Sequence, residues 1–431
     1  MPKISFITLG CKLNYAETST YERGFIQAGF EAVPPTGKAD ICLVNTCSVT
    51  EHSDKKCRNI IRRMHRLCPE ADIVVTGCSA QLRRSEIEKI EGVRFVFGAK
   101  EKGSVVRTVT EYVRNNGKTQ EPQPAVTGEM PYLETGNDGT VFPAYSSGER
   151  TRSFLKVQDG CDYKCAYCTV PYARGESRNI PIADIVSQAG KIAATGIKEI
   201  VLTGVNTGDF GKTTGEPFLD LLKKLNEVEG IERYRISSIE PNLLTEDIVD
   251  WIASGTKFLP HFHIPLQSGS DTILKAMGRR YDTASFSHKI GYIREKLEKE
   301  GRPKVFFGID VIVGFPGETD ELFQETYGFL EHVIKPAFIH IFPYSRRPGT
   351  PAAAMGGQIQ DKVKTERVEK LEGLCRRLHD GFLESGKGTV AKVLFESSDK
   401  GGMMYGYTEN YIRVELPYDP DKVGRIVEIT I

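Results

Sequence analysis

Short apolar runs of strand-forming residues alternate with amphipathic stretches over the first 115 residues. The amphipathic stretches have helical spacing, for example from Tyr15 to Ala28 and from His52 to Leu67. Apolar strands separated by helices are typical of βα units on a parallel sheet. The pattern predicts an N-terminal parallel-sheet α/β domain at residues 1–115, with strands at KISFITL (3–9), DICLVNT (40–46), DIVVTG (72–77) and VRFVFG (93–98).

A second alternating series follows a stretch rich in Gly, Pro and polar residues (116–150), which we interpret as a linker. Six βα repeats in about 200 residues fit either a doubly wound sheet or a barrel short of eight units. We therefore predict a second α/β domain at residues 151–360. Its strands are expected at SFLKVQD (153–159), EIVLTG (199–204), RYRISS (233–238), FHIPL (262–266), VFFGIDVIVG (305–314) and FIHIFPY (338–344).

The pattern changes again near the end of the chain. A charged helix is predicted to connect the domains at residues 361–385. Residues 386–431 then read as four or five short strands separated by Gly and Asp turns, which is typical of a small β-barrel.

Composition and charge narrow the class of protein. The 431 residues suggest two or three domains, and 57 basic residues balance 57 acidic ones, so any nucleic-acid surface must be local. No apolar run approaches the roughly 20 residues that span a bilayer, so no membrane partner is expected. The start MPKISFITLG lacks a signal-peptide pattern, so we expect a cytoplasmic protein. Thiols stay reduced there, and the ten cysteines indicate metal binding or catalysis.

Three cysteines, Cys161, Cys165 and Cys168, follow the first strand of the second series with the spacing C-x3-C-x2-C. Groups at the carboxyl ends of parallel strands face the active site, and thiolates suit zinc or iron–sulfur clusters. A structural zinc requires a fourth ligand, and the nearest following histidine is His261. A cubane cluster on three cysteines keeps one iron open. The alternative is a zinc site or scattered reduced thiols.

Cys11, Cys47 and Cys78 each lie just beyond a predicted strand of the first domain. Three strands of one parallel sheet can bring such residues together at one edge. The alternative is three unrelated buried cysteines. A structural role is predicted for the other four, Cys42, Cys57, Cys68 and Cys375.

Polar residues and glycines at or near strand ends of the second domain are candidates for cofactor contact, with turn geometry or a satisfied buried polar group as the alternative. They are Gly204, Asn206, Glu240, Gln267, Gly314 and, in PYARG, Arg174. RNA contact requires local positive charge and aromatic faces. Candidates are the basic helix after Cys47 (Lys55, Lys56, Arg58, Arg62, Arg63, Arg66), then Arg346 and Arg347, and the tail residues Tyr405, Tyr407, Tyr411 and Arg413.

The C-x3-C-x2-C motif resembles the radical S-adenosylmethionine superfamily. Together with LGCKLN, NTCSVT and TGC it resembles the methylthiotransferase family, whose order of motifs continues through IPLQSGSDTILKAMGRRY (264–281), GIDVIVGFPGET (308–319) and FPYSRRPGTPA (342–352). The resemblance covers nearly the whole chain. It implies a central partial radical S-adenosylmethionine barrel and a C-terminal TRAM β-barrel.

The resemblance also implies two [4Fe–4S] clusters. Cys161, Cys165 and Cys168 would hold the cluster that binds S-adenosylmethionine, and Cys11, Cys47 and Cys78 would hold an auxiliary cluster. One S-adenosylmethionine would methylate a sulfur on the auxiliary cluster, and a second would give the radical that removes hydrogen from the substrate.

LGCKLNYAET is most similar to the branch that acts on N6-threonylcarbamoyladenosine beside the anticodon in tRNA. The implied partners are the tRNA anticodon stem-loop, a flavodoxin-like or ferredoxin-like reductant and a sulfur donor. The isopentenyladenosine branch typically reads GCQMN there, and a third branch modifies an aspartate of a ribosomal protein. Both remain open as alternatives, as does an RNA-binding zinc protein without turnover.

Overall fold

The structure, a computed structural model, describes residues 1–36, 38–115, 141–148, 151–397, 399 and 401–431. Its N-terminal domain alternates strands with helices as the sequence predicts. The strands are β1 (Lys3–Thr8), β2 (Glu31–Ala32), β3 (Ile41–Thr46), β4 (Asp72–Gly77) and β5 (Val93–Phe97). The helices are α1 (Lys12–Gln27), α2 (Glu51–Leu67), α3 (Cys78–Leu82), α4 (Arg84–Ile87) and α5 (Val105–Arg114).

These strands form one parallel sheet in the order β2-β1-β3-β4-β5. The four predicted strands are confirmed, and the two-residue β2 at the sheet edge was missed. The central strand β3 is buried along its whole length because helices cover both faces of the sheet. Such a sheet aligns the carboxyl ends of its strands at one edge, where Cys11, Cys47 and Cys78 lie.

The second domain has eight described strands, of which six are parallel and follow one another in sequence order, while β7 and β8 form a separate antiparallel pair. Its strands are β6 (Arg152–Lys156), β7 (Gln158–Asp159), β8 (Arg178–Asn179), β9 (Glu199–Thr203), β10 (Arg233–Ile236), β11 (His261–Gln267), β12 (Phe306–Val313) and β13 (Phe338–Pro343). Its helices are α6 (Val170–Arg174), α7 (Ile182–Ala193), α8 (Phe218–Asn226), α9 (Glu246–Ala253), α10 (Asp271–Met277), α11 (Thr283–Leu297), α12 (Asp320–Gly328), extended by a π-helical turn (Phe329–Ile334), and α13 (Pro351–Ala354).

Sheets β6-β9-β10 and β11-β12-β13 continue into one another through the backbone around β10 and β11, where Ile239 N–H donates to His263 O at 3.2 Å. The result is a partial barrel, so the barrel alternative is the one the chain adopts. Side chains alternate between its two faces. Ile264 and Leu266 pack with the surrounding helices, so His263 and Gln267 face the inside, which we call the lumen.

Residues 141–148 belong to the segment predicted as a linker, and the rest of that segment that precedes them, residues 116–140, lies outside the described residues. Ser146 N–H donates to Phe154 O and Lys156 N–H donates to Ala144 O, both at 2.9 Å. Phe142 and Ala144 are buried in the N-terminal core, so residues 141–148 join the two domains by packing.

The predicted connecting helix is α14 (Asp361–Glu384), and it packs against β13. The tail forms an antiparallel sheet in the order β16-β15-β14-β17, from β14 (Val390–Phe395), β15 (Met403–Tyr407), β16 (Arg413–Pro417) and β17 (Ile426–Thr430). This sheet is a curled half-barrel, because β16 and β17 do not pair within the described residues. Among the described helices, none combines the length and the apolar character that a membrane crossing needs.

Candidate iron–sulfur and cofactor sites

The N-terminal cysteines come together because their strands are neighbours. Cys11 follows β1 and precedes α1, Cys47 follows β3, and Cys78 begins α3 directly after β4. Gly10, with φ +98°, makes this possible, since a Cβ there would lie 2.8 Å from Cys47 Sγ. Burial, and then the neighbouring thiols of Cys78 and Cys11, raise the pKa of Cys47 to about 12.

The second cysteine set occupies a tight loop at the carboxyl end of the first barrel strand. Tyr163 N–H donates to Cys161 Sγ and Val170 N–H donates to Cys168 Sγ, both at 3.4 Å. Burial, and then the neighbouring Cys165, raise the pKa of Cys161 to about 11 and that of Cys168 to about 12.

The raised pKa values of Cys47, Cys161 and Cys168 mean that each set needs a nearby cation before its thiols can ionise together. A bound metal centre supplies that charge and releases the protons. Both triads contain soft sulfur donors, so the residues present fit iron–sulfur clusters.

The segments that carry the two cysteine sets touch each other across the domain interface. Helix α3, which begins at Cys78, packs on α6, which follows Cys168. Thr169 Oγ1 donates to Ser48 O at 3.5 Å, which joins the residues directly after Cys168 and Cys47. Arg347 Nη2 also donates to Ser48 Oγ, at 2.7 Å. The two cysteine sets therefore belong to adjoining segments of the two domains.

Arg174 lies in a buried charge cluster and is already engaged by other residues. Its guanidinium lies 2.9 Å from Asp159 Oδ1 and 3.3 Å from Glu17 Oε1, and it donates to Asn14 Oδ1 at 2.7 Å. The sequence analysis predicted that this guanidinium would contact the cofactor. In the structure two protein carboxylates and an amide occupy it, because α1 packs against the barrel at this point.

Three cations face two carboxylates in this cluster. Lys102 Nζ is 2.8 Å and Lys156 Nζ 2.9 Å from Glu17 Oε1, and Lys156 Nζ is also 2.6 Å from Asp159. Burial opposes the ionisation of Glu17, yet these cations and Arg174 hold its pKa well below the usual range. The excess positive charge lies beside Cys78 and Cys11.

Four of the predicted cofactor residues lie together at the carboxyl ends of β9, β10 and β11. Asn206 Oδ1 accepts from Glu240 N–H at 3.3 Å, while its Nδ2 is buried without a hydrogen-bond partner in the structure. A Cβ at Gly204 would lie 2.9 Å from Gln158 Oε1, so glycine is needed there because the Gln158 side chain packs against the backbone. Gln267 ends β11 with φ +69°. The buried, unpartnered amide nitrogen of Asn206 fits a polar ligand.

Gly314, the sixth candidate, directly follows β12 and has φ +73°. Its N–H donates to Glu318 Oε2 at 2.6 Å, and a Cβ there would collide with the Lys364 side chain of α14. Arg367 in turn lies 2.6 Å from Glu318. The Gly314 N–H is therefore used within the protein.

Arg279 is a functional candidate that sequence reasoning did not single out. It donates to Cys165 Sγ at 3.0 Å and forms an ion pair with Glu240. Its side chain is 2% exposed. Burial raises the pKa of Glu240, although Arg279 opposes that shift. The only sequence signal was its place in KAMGRRY, after the αL turn at Gly278 that ends α10.

The three tyrosines of the tail that were candidates for RNA contact lie in two different places. Tyr411 stacks on Tyr407 at 4.6 Å between ring centroids, and its hydroxyl accepts from Arg152 at 3.1 Å. Both tyrosines close the end of the barrel where the strands begin, so they are engaged by protein. Tyr405 lies on the outer sheet under the guanidinium of Arg413.

A parallel barrel with three thiols at the end of its first strand, and a second thiol triad on adjoining segments of the other domain, defines an iron–sulfur enzyme of the radical type. The model of the Radical SAM superfamily matches residues 155–330, and that of the Uncharacterized protein family UPF0004 matches residues 3–98.

The Threonylcarbamoyladenosine tRNA methylthiotransferase MtaB of Bacillus subtilis is 38% identical, over all of this chain and 94% of its own length. The protein of the same name from Aquifex aeolicus is 37% identical over both full lengths. The tRNA-2-methylthio-N(6)-dimethylallyladenosine synthase of Geobacter metallireducens is 31% identical, over 98% of this chain and 94% of that protein. The solved structure of TsrM from Kitasatospora setae, a radical S-adenosylmethionine methyltransferase with cobalamin and a [4Fe-4S] cluster bound, has a TM-score of 0.58 at 14% identity, over 94% of this chain and 77% of that one.

This chain belongs to the threonylcarbamoyladenosine tRNA methylthiotransferase family of radical S-adenosylmethionine enzymes. The family works with [4Fe–4S] clusters and S-adenosylmethionine. The isopentenyl-type relative is less similar, and the readings as a ribosomal-protein enzyme or a zinc protein are not favoured.

Proposed function

We propose that this chain methylthiolates carbon 2 of N6-threonylcarbamoyladenosine beside the anticodon of tRNA. The observation that carries the proposal is the contact between the two cysteine-bearing segments across the domain interface, where Thr169 meets Ser48. A sulfur-bearing site and a radical-generating site must both reach one carbon atom, and adjoining segments suit that requirement.

In this proposal each triad of thiolates holds one [4Fe–4S] cluster. Cys161, Cys165 and Cys168 hold the first, and Cys11, Cys47 and Cys78 hold the second. When bound, these clusters and S-adenosylmethionine supply reductive cleavage and the sulfur and methyl groups. The protein orients the reactants and excludes water.

Cofactor contact is assigned to the group at the ends of β9, β10 and β11. The free Nδ2 of Asn206 donates to a cofactor oxygen, and Gly204 lies two residues before it, directly after β9. Glu240 and Gln267 line the same edge. Arg279 positions Cys165 and Glu240 relative to each other through its two contacts.

A basic groove beside α2 is proposed to hold the phosphates of the anticodon stem. Its volume is about 1120 Å³, and its lining includes Lys55, Lys56, Arg62, Arg63 and Arg66. All five side chains are exposed and none forms an ion pair within the described residues. Unpaired surface cations beside a cleft are suited to the phosphate backbone.

Electrons come from a flavodoxin-like or ferredoxin-like protein in this proposal, and sulfur from a separate donor, in the cytoplasm. Reduction by a protein suits cysteine sites that lie at the domain interface. The test below replaces both donors with chemical reagents, so its outcome does not depend on their identity.

The test uses anaerobically reconstituted protein, S-adenosylmethionine, a chemical reductant and sulfide. Three anticodon stem-loops carry adenosine, isopentenyladenosine or threonylcarbamoyladenosine at the same position. Mass spectrometry of the nucleosides should find methylthio product with the threonylcarbamoyl stem-loop. Product from the isopentenyl stem-loop alone would overturn the branch, and no product from any stem-loop would overturn the tRNA reaction.

The basic groove is tested with Arg62→Glu/Arg63→Glu in the same assay. Its stem-loop affinity should fall and depend less steeply on salt, since two phosphate contacts are lost. The matched control is Lys223→Glu/Lys224→Glu on the exposed face of α8, which should bind as the unmodified enzyme does.

A further inference from the structure

Lys12 is a cation that enters the barrel lumen from the other domain. It is the first residue of α1 and follows Cys11 directly. Helix α1 packs on β6, and Asn14, two residues further on, accepts from Arg174 Nη2 at 2.7 Å, so the first turn of α1 lies against the barrel. The charges that act on the Lys12 ammonium are those of Arg152, Arg235 and Asp310, on β6, β10 and β12, and Lys12 in turn acts on His340 of β13. These groups line the lumen, so the ammonium faces it.

The side chain of Lys12 is exposed although protein surrounds it, as expected for a group that faces an open lumen. It forms no hydrogen bond or ion pair with any described residue. Three charged groups around Lys12 have partners of their own: Arg235 Nε lies 2.9 Å from Glu199, Arg152 Nη2 lies 2.8 Å from Glu396, and Asp310 Oδ1 lies 2.6 Å from His263. Lys12 therefore adds an unmatched positive charge.

The opposite wall carries polar groups that could instead suggest a metal. His263, Asp310 and His340 place one ligand atom each within 4.8 Å of one another. The ammonium of Lys12 acts on Asp310 and on His340, and a positive charge there repels a divalent cation. The lumen is better suited to an organic anion that also offers hydrogen-bond donors to the wall.

We propose that Lys12 binds the carboxylate of the threonylcarbamoyl group and so determines which modified adenosine the enzyme accepts. This inference rests on the proposed function. The base lies between the two cysteine triads, and the substituent on its N6 enters the lumen beside Cys11. The pair of Asp310 and His263 faces the polar atoms of the same group. An isopentenyl group carries no charge and leaves the lysine unpaired.

The test compares two stem-loops that differ in one group: threonylcarbamoyladenosine, and its threoninamide analogue, which lacks the negative charge. Affinity is measured by fluorescence anisotropy on the reconstituted enzyme without S-adenosylmethionine, and methylthiolation by mass spectrometry. The enzyme should prefer the carboxylate by about ten- to a hundredfold, the range expected for a hydrogen bond to a charged group. Lys12→Gln should lose this preference, while Lys12→Arg should keep most of it.

The control variant is Lys223→Gln, an exposed lysine on α8 outside the lumen, which should keep the full preference. Equal affinity of the unmodified enzyme for acid and amide would overturn the inference, and this comparison needs no variant. So would a Lys12→Gln enzyme that still prefers the acid. If neither stem-loop is methylthiolated by the unmodified enzyme, the proposed function itself fails, which is a distinct result.

Discussion

Lys156 Nζ of the barrel lies 2.9 Å from Glu17 Oε1 of the N-terminal domain, and both side chains are fully buried. The pair joins the two domains, and Arg174 of the same charge cluster lies beside Cys78 and Cys11. A buried ion pair contributes little net stability by itself, but removal of one partner leaves a charge without compensation. The first prediction follows from this asymmetry.

Glu17→Gln should destabilise the protein by about 3–5 kcal/mol, because Lys102, Lys156 and Arg174 lose their shared carboxylate. Urea unfolding of the anaerobic protein measures the change. Glu229→Gln, at an exposed position, is the control and should alter stability by less than about 0.5 kcal/mol. A Glu17→Gln protein as stable as this control would contradict the role of the cluster.

The same carboxylate predicts a pH dependence. Cations hold the pKa of folded Glu17 below its value of about 4.3 in the unfolded chain, so its contribution is fully present above that pH. The contribution is lost as pH falls further toward the folded pKa. The stability difference between unmodified protein and Glu17→Gln should stay constant from pH 7 to 5 and shrink below pH 4. A difference that widens in acid would have the wrong sign.

The two cysteine sets should fail separately. Cys165→Ala should abolish 5′-deoxyadenosine formation, because one thiolate of the first triad is lost. Cys47→Ala should retain that activity and stop sulfur insertion. Both variants should lose about one cluster's content of iron and acid-labile sulfide. Cys375→Ala is the control, since Cys375 is buried beside Ile339, distant from both sites. Methylthio product from Cys47→Ala would exclude the second triad from the chemistry.

Arg279→Lys should weaken S-adenosylmethionine binding by about 10- to 100-fold, in the range found when a group that orients a metal ligand is changed. One ammonium group cannot hold Cys165 Sγ and Glu240 in the planar geometry of the guanidinium. The reduction potential of the cluster should fall as well, because an N–H···S bond is lost. Arg280→Lys, on the exposed neighbour, should change neither the KM nor the potential. Loss of stability with an unchanged potential would indicate a purely structural role.

Arg347→Met should loosen the domain interface, since Arg347 Nη2 lies 2.7 Å from Asp54 Oδ2 and both side chains are buried. The single variant leaves Asp54 unpaired, at an expected cost of about 3–5 kcal/mol. The double variant Arg347→Met/Asp54→Leu removes both charges and should recover part of this loss. Additive effects in urea unfolding would show that the two residues do not interact.

The sequence by itself determined the order of elements and the cysteine chemistry. Apolar runs such as DICLVNT become strands wherever they fall in the chain, because burial on both faces of a parallel sheet requires continuous apolar residues. Cys11, Cys47 and Cys78 could be grouped from their places after predicted strands, because parallel strands align their ends. The C-x3-C-x2-C loop could be recognised without any prediction of strands, since its spacing alone can bring the three sulfurs together.

Only the tertiary structure decided which polar groups are already used. Arg174 and Gly314 are of residue types that often contact ligands. In the structure Arg174 pairs with Glu17 and Asp159, and the Gly314 N–H donates to Glu318, because α1 and α14 pack against the barrel. Arg279 and Lys12 show the opposite case. Their surroundings in the structure suggest a function, but no spacing of residues in the sequence indicates it. Partners such as Lys156 and Glu17 lie far apart in sequence, and a pattern of local periodicity carries no information about a contact that only domain packing creates.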